Sequence, residues 1–131
     1  MNDGSANDPA YVLVVEDDAA IRHLLAAIIQ GMGLQARLAA TGNQALALAT
    51  EEPPALVVLD LGLPGLYGTS VGVILRKSLP KLPIIIVSAL PKDAVVQDAW
   101  NFGANAYFTK PFDTAELASA IQRLLPRSIP T

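Results

Sequence analysis

The chain has 131 residues, enough for one domain with a buried core. Its 52% hydrophobic content and mean hydropathy of +0.40 point to a sheet covered on both faces. A net charge of −3 without a basic run argues against a nucleic-acid surface, and the lack of cysteine excludes disulfides and thiolate metal sites. No apolar run approaches the roughly 20 residues of a membrane helix, and the polar start lacks a signal core, so a cytoplasmic protein without a membrane partner is expected.

Residues 1–10 read as a flexible leader. Tyr11-Val12-Leu13-Val14-Val15 is an apolar run of strand length that passes straight into Glu16-Asp17-Asp18. A helix over residues 19–30 follows, with Ile21, Leu24, Leu25 and Ile28 at helical spacing. Asp18 stands at its N-cap, and Gly31 and Gly33 close it. Residues 34–38 make a weaker second strand, expected at a sheet edge. Residues 42–50 make a short helix that stops before Pro53-Pro54. The third strand, residues 55–59, ends on Asp60, and a Gly/Pro-rich turn leads to a helix near residues 69–77. Gly72 inside that helix costs about 1 kcal/mol against Ala, which predicts a soft segment over residues 67–73. The fourth strand, residues 83–87, ends on Ser88 and precedes a helix over residues 92–102. The fifth, residues 105–109, runs into Lys110-Pro111, a turn fixed by proline and open to a cis bond. A last helix spans residues 114–125, and residues 126–131 read as a tail or linker stub.

Strand–helix alternation with continuous Val/Ile/Leu strands predicts an α/β fold: a doubly wound, five-stranded parallel sheet, flavodoxin-like, with helices on both faces. The order 2-1-3-4-5 suits this length and puts the ligand crevice between the first and third strands. Those strands deliver Glu16, Asp17 and Asp60 to one rim, which Ser88 and Lys110 share.

Two unit charges about 4 Å apart repel by about 4 kcal/mol at an effective dielectric of 20. A cluster of three carboxylates therefore persists only when protons or a cation neutralise it. Oxygen ligands without His or Cys select a hard ion, Mg²⁺ before others. A metal beside a carboxylate and an ammonium is a set for handling phosphoryl groups, since catalysis there is positioning and neutralisation. Asp60 is then the nucleophile that forms an acyl phosphate, while Lys110 and Ser88 hold phosphoryl oxygens. Asp18 is better read as a helix cap than as a ligand.

With these residues in place the chain resembles the receiver domain of bacterial two-component response regulators, from Tyr11 to about Leu125. The motifs that carry the resemblance are Val14-Val15-Glu16-Asp17-Asp18, Leu59-Asp60-Leu61-Gly62-Leu63-Pro64-Gly65, Val87-Ser88-Ala89 and the run from Gly103 through Thr109-Lys110-Pro111-Phe112. The resemblance implies that Asp60 accepts phosphate from a histidine kinase or histidine phosphotransfer protein. It implies Mg²⁺ held by Asp17, Asp60 and the Gly62 carbonyl with help from Glu16, and Ser88 and Tyr107 as a switch pair. The surface around the fourth helix and fifth strand would change on phosphorylation, for an output domain or a homodimer.

Several positions depart from that pattern. Tyr67 stands where relatives often carry an acidic or amide residue. Asn105 and Ala106 replace the acidic pair of regulators that dimerise through the fourth helix and fifth strand, and Arg123 is the main basic candidate on the last helix. Trp100 lies on that face, either as a partner anchor or as core packing. His23, the only histidine, reads as a kinase-facing or merely exposed residue of the first helix. Gly62 leaves the acyl phosphate less shielded than a bulkier residue would, with Leu90 as a possible compensation, which predicts a short phosphoryl lifetime. Three competing readings stay open: an aspartyl-phosphate phosphohydrolase, a flavodoxin-like cofactor binder, and a receiver-shaped module that is never phosphorylated. The first normally needs a second carboxylate at the position of Gly62, and the second needs a phosphate-cradling loop where Glu16-Asp17-Asp18 would repel phosphate.

Overall fold

The computed structural model describes residues 11–63, 68–89 and 102–125. The leader, Tyr67, Leu90, Trp100 with most of the helix expected at residues 92–102, and the 126–131 tail lie outside the described residues. Five strands, β1 (Tyr11–Val15), β2 (Gln35–Ala39), β3 (Leu56–Leu59), β4 (Ile84–Ser88) and β5 (Ala106–Thr109), pair in parallel in the order β2-β1-β3-β4-β5. Between and after them run α1 (Ala19–Gly31), α2 (Gly42–Glu51), α3 (Gly68–Ser78) and a C-terminal helix, Thr114–Leu124.

The central strands β1, β3 and β4 are buried along their whole length because both faces are covered. Alternation along each strand divides the core in two. Leu13, Val15, Val57, Leu59, Ile84 and Ile86 meet Ala45 and Ala49 of α2 and Val71 and Leu75 of α3. Val12, Val14, Val58, Ile85 and Val87 meet Leu25 and Ile29 of α1 and Leu117 and Ile121 of the C-terminal helix.

Local signals set the helix ends. Asp18, Thr41 and Asp113 cap α1, α2 and the C-terminal helix, each side chain accepting the N–H three residues on. Gly31 is still helical, and Gly33 alone takes the left-handed turn after α1, at φ 80. The second strand does lie at an edge, shifted one residue from the expected span. The Lys110–Pro111 bond is cis.

Gly72 is a socket. A Cβ there would stand 2.6 Å from two ring carbons of buried Phe102, so α3 runs unbroken through this glycine and packs tightly because of it.

Candidate functional site

Each site residue reaches the rim by a strand end. Asp60 N–H donates to Val15 O at 2.9 Å, and Glu16 N–H donates to Ala39 O at 3.0 Å. The pairing of β3 with β1 and of β1 with β2 thus continues one residue past β3 and β1, just where the acidic side chains begin. Lys110 N–H donates to Ser88 O at 2.8 Å and brings the lysine in from the far side.

Glu16, Asp17 and Asp60 each present an oxygen within 4.8 Å of the others; Glu16 and Asp60 are buried and Asp17 is exposed. Lys110 Nζ lies 2.8 Å from Glu16 Oε1 and 3.4 Å from Asp60 Oδ2. Asp60 Oδ1 accepts the Gly62 N–H at 3.0 Å, and Glu16 Oε2 accepts the Asp18 N–H at 3.1 Å. Burial raises the Glu16 carboxyl above its ordinary value, against the Lys110 ammonium and the Asp18 N–H, with Asp60 adding to the rise. Burial alone would lower the Lys110 ammonium, but the Glu16 and Asp60 carboxylates together outweigh it and hold it high. Among the described residues, three carboxylates stand against one ammonium and are short of positive charge. Their all-oxygen donor set fits a hard divalent ion such as Mg²⁺.

Ser88, 1% exposed, ends β4 opposite Thr109 of β5. Tyr107 pairs with Ile86, so alternation puts Ser88 and Tyr107 on the same sheet face, with Tyr107 in the α2/α3 core. Gly62 is exposed beside Asp60, and a Cβ on it would meet Asp60 Oδ1 at 3.6 Å, an ordinary contact. His23 is exposed on α1, and Asp18 serves as the helix cap. Asn105 is a strand-start fastener: its N–H donates to Ile84 O at 2.7 Å and its Oδ1 accepts the Ile84 N–H at 2.8 Å.

Three contacts were not foreseen from the chain. Arg22 Nη1 donates to the carbonyls of Glu16 and Asp17, at 2.9 and 3.2 Å. A Cβ on Gly68 would fall on the carbonyl oxygen of Asp60 and the Cα of Leu61, so α3 starts in backbone contact with the acidic strand end. Arg76 donates to the carbonyls of Phe102, Leu79, Pro80 and Gly103, tying the end of α3 to the turn before β5. The only sequence signal for Arg22 is its place in the first turn of a helix, where a cation is disfavoured.

Comparison with known proteins agrees with this fold. Residues 12–122 match the response regulator receiver domain. Sporulation initiation phosphotransferase F of Bacillus subtilis is 35% identical over 115 residues, covering 88% of this chain and 93% of that protein. The alkaline phosphatase synthesis transcriptional regulatory protein SphR of Synechococcus elongatus is 37% identical over 133 residues; the match takes in 95% of this chain but only 52% of that protein. Among solved structures, a putative response regulator from Chloroflexus aurantiacus superposes with a TM-score of 0.85 at 30% identity, covering 92% of this chain and all of that one. The receiver domain of NtrX from Brucella abortus gives 0.83 at 33% identity, over 89% of this chain and 99% of that one. Among the described residues no helix is long and apolar enough to cross a membrane. The chain belongs to the response regulator receiver domains, the phosphoacceptor modules of two-component signalling.

Proposed function

We propose that Asp60 is the phosphoacceptor. One of its carboxylate oxygens attacks the phosphorus of a phosphohistidine on a histidine kinase or a histidine phosphotransfer protein. A P–O bond forms as the P–N bond breaks, the imidazole leaves with the bonding pair, and an acyl phosphate remains. Glu16, Asp17, Asp60 and the Gly62 carbonyl hold Mg²⁺, which when bound neutralises charge on the phosphoryl oxygens. Lys110 grips one phosphoryl oxygen and the Ser88 hydroxyl donates to another.

The same site accepts phosphate from a small donor such as acetyl phosphate. It loses phosphate when water attacks the phosphorus and returns the Asp60 carboxylate with inorganic phosphate. Phosphorylation adds about −1.5 to −2 charge. Ser88 turns toward it and Tyr107 follows, altering the β5 surface and the segment before it, where an output domain or a second copy of the chain binds. The kinase or phosphotransfer partner docks on the exposed face of α1, the helix that follows Glu16 and Asp17, where Ala20, His23, Leu24 and Ala27 are exposed.

The observation that carries this reading is the lysine contact: Lys110 Nζ within 3.4 Å of carboxylates from two other strand ends, Glu16 and Asp60. Incubation with acetyl phosphate and Mg²⁺, followed by intact mass measurement, tests it. A phosphate-sized gain in the wild type and none in Asp60→Asn is expected. An equal gain in both, or none in either, refutes it.

A further inference from the structure

Helix α1 has no acidic residue in its first turn, and the fourth residue of that helix is Arg22. A cation there faces the positive end of the helix dipole, so electrostatics disfavours it at this position. The side chain does not lie along the helix. Arg22 Nη1 reaches back past the Asp18 cap and donates to Glu16 O at 2.9 Å and to Asp17 O at 3.2 Å. One guanidinium nitrogen thus bridges the carbonyls of two consecutive residues whose carboxylates both belong to the acidic cluster.

The members of that cluster are held differently. Glu16 is buried and paired with Lys110, and Asp60 is buried and bonded by the Gly62 N–H. Asp17 is exposed, so its backbone decides where its carboxylate stands. We propose that Arg22 is a positioning residue of the metal site, locking the Glu16 and Asp17 peptides so that the Asp17 carboxylate is presented to the ion together with that of Asp60. This rests on the assignment of those carboxylates as Mg²⁺ ligands.

Position and charge make opposite demands, which gives the test its power. As a mere positive charge near a cation site, Arg22 repels Mg²⁺, and its removal tightens binding. As a lock on the ligands, it favours Mg²⁺, and its removal weakens binding.

The experiment is calorimetric Mg²⁺ titration of the wild type, Arg22→Met and Arg22→Lys at one ionic strength, with thermal melts in EDTA and in Mg²⁺. Arg22→Met should bind roughly tenfold more weakly, the low end of what supporting groups contribute around a metal. Its EDTA melt should stay near that of the wild type, and its Mg²⁺-induced rise in Tm should shrink. Arg22→Lys keeps the charge but not the guanidinium geometry, and should fall between the two. If Arg22→Met fails to fold, Arg22→Lys carries the comparison, and wild-type affinity in it overturns the proposal. A wild type that binds Mg²⁺, with Arg22→Met binding equally or more tightly, overturns the role of Arg22 alone. A wild type that takes no Mg²⁺ overturns the metal assignment and this role together.

Discussion

Replacing Lys110 with Met keeps the aliphatic stem and removes an ammonium that touches two buried carboxylates. At an effective dielectric of 20, pairs at 2.8 and 3.4 Å attract by about 6 and 5 kcal/mol. The three carboxylate pairs, all with oxygens within 4.8 Å, each repel by at least about 3.5 kcal/mol on the same scale. Lys110 therefore offsets much of the repulsion among the carboxylates. Without it the cheapest escape is a proton on Glu16, whose carboxyl burial already holds above 4.5. Neutralising a glutamate of ordinary pKa at pH 7 costs about 3.4 kcal/mol, and the raised Glu16 costs less. The expected loss for Lys110→Met in EDTA at pH 7 is therefore below about 3.4 kcal/mol, up to roughly 10 °C in Tm. Because the folded state favours protonated Glu16, that residue's contribution is present below its unfolded pKa and fades as pH rises through the folded value. The gap between variant and wild type should accordingly narrow toward pH 5, and it should narrow again in saturating Mg²⁺. Urea unfolding followed by circular dichroism at both pH values, with and without Mg²⁺, measures this. A variant as stable as the wild type in EDTA at pH 7, or a loss indifferent to pH and Mg²⁺ alike, refutes the counter-ion role.

Gly62→Met should slow loss of the phosphoryl group several-fold, because the new side chain starts 3.6 Å from Asp60 Oδ1 and covers one approach for water; equal rates of phosphate release remove that explanation. Gly72→Ala gains about 1 kcal/mol of helix propensity but drives a methyl into the Phe102 ring, an overlap that costs about 1–3 kcal/mol. A net loss of about 1 kcal/mol is expected by denaturant unfolding, reversing to a gain in a Phe102→Leu background; stabilisation in the native background would show that the ring yields freely. Burial raises the Tyr11 phenol above 10.0, with Arg37 opposing and Glu52 and Glu51 assisting. A raised phenol contributes stability below its unfolded pKa and loses it as pH climbs through the folded value. Wild type should thus lose stability more steeply than Tyr11→Phe above about pH 10, and parallel curves would contradict this.

The central strands β1, β3 and β4 were legible because strands buried on both faces must be apolar almost throughout. Their ends were harder, since hydrogen bonds from elsewhere decide them. The expected β4 stopped at Val87, but Lys110 N–H on Ser88 O and the pairing of Ser88 with Thr109 carry it one residue further. Expected β2 began at Leu34, whose N–H instead donates to Ile29 O and closes α1. Glu16, Asp17, Asp60 and Lys110 were legible for a different reason: charged side chains directly after apolar strands are unusual, and a parallel sheet forces such ends onto one rim.

What stayed hidden works through the backbone. Gly68, Gly72 and Arg76 are four residues apart and form one stripe of α3. The first lies on the Asp60-Leu61 backbone, the second on the Phe102 ring, and the third on the carbonyls of Phe102 and Gly103. A glycine in a helix is a defect by propensity alone, and only the partner, here 30 or more residues along the chain for Gly72 or at a preceding strand end for Gly68, turns it into a fit. Arg22 obeys the same logic, since its partners are carbonyls, which every residue has and no motif records. The side-chain chemistry of the rim can be read from residue types at strand ends. The packing that holds the rim in place depends on close approach between backbones, and residue type announces that only as a local rule broken: a cation at a helix start, a glycine where alanine would be better.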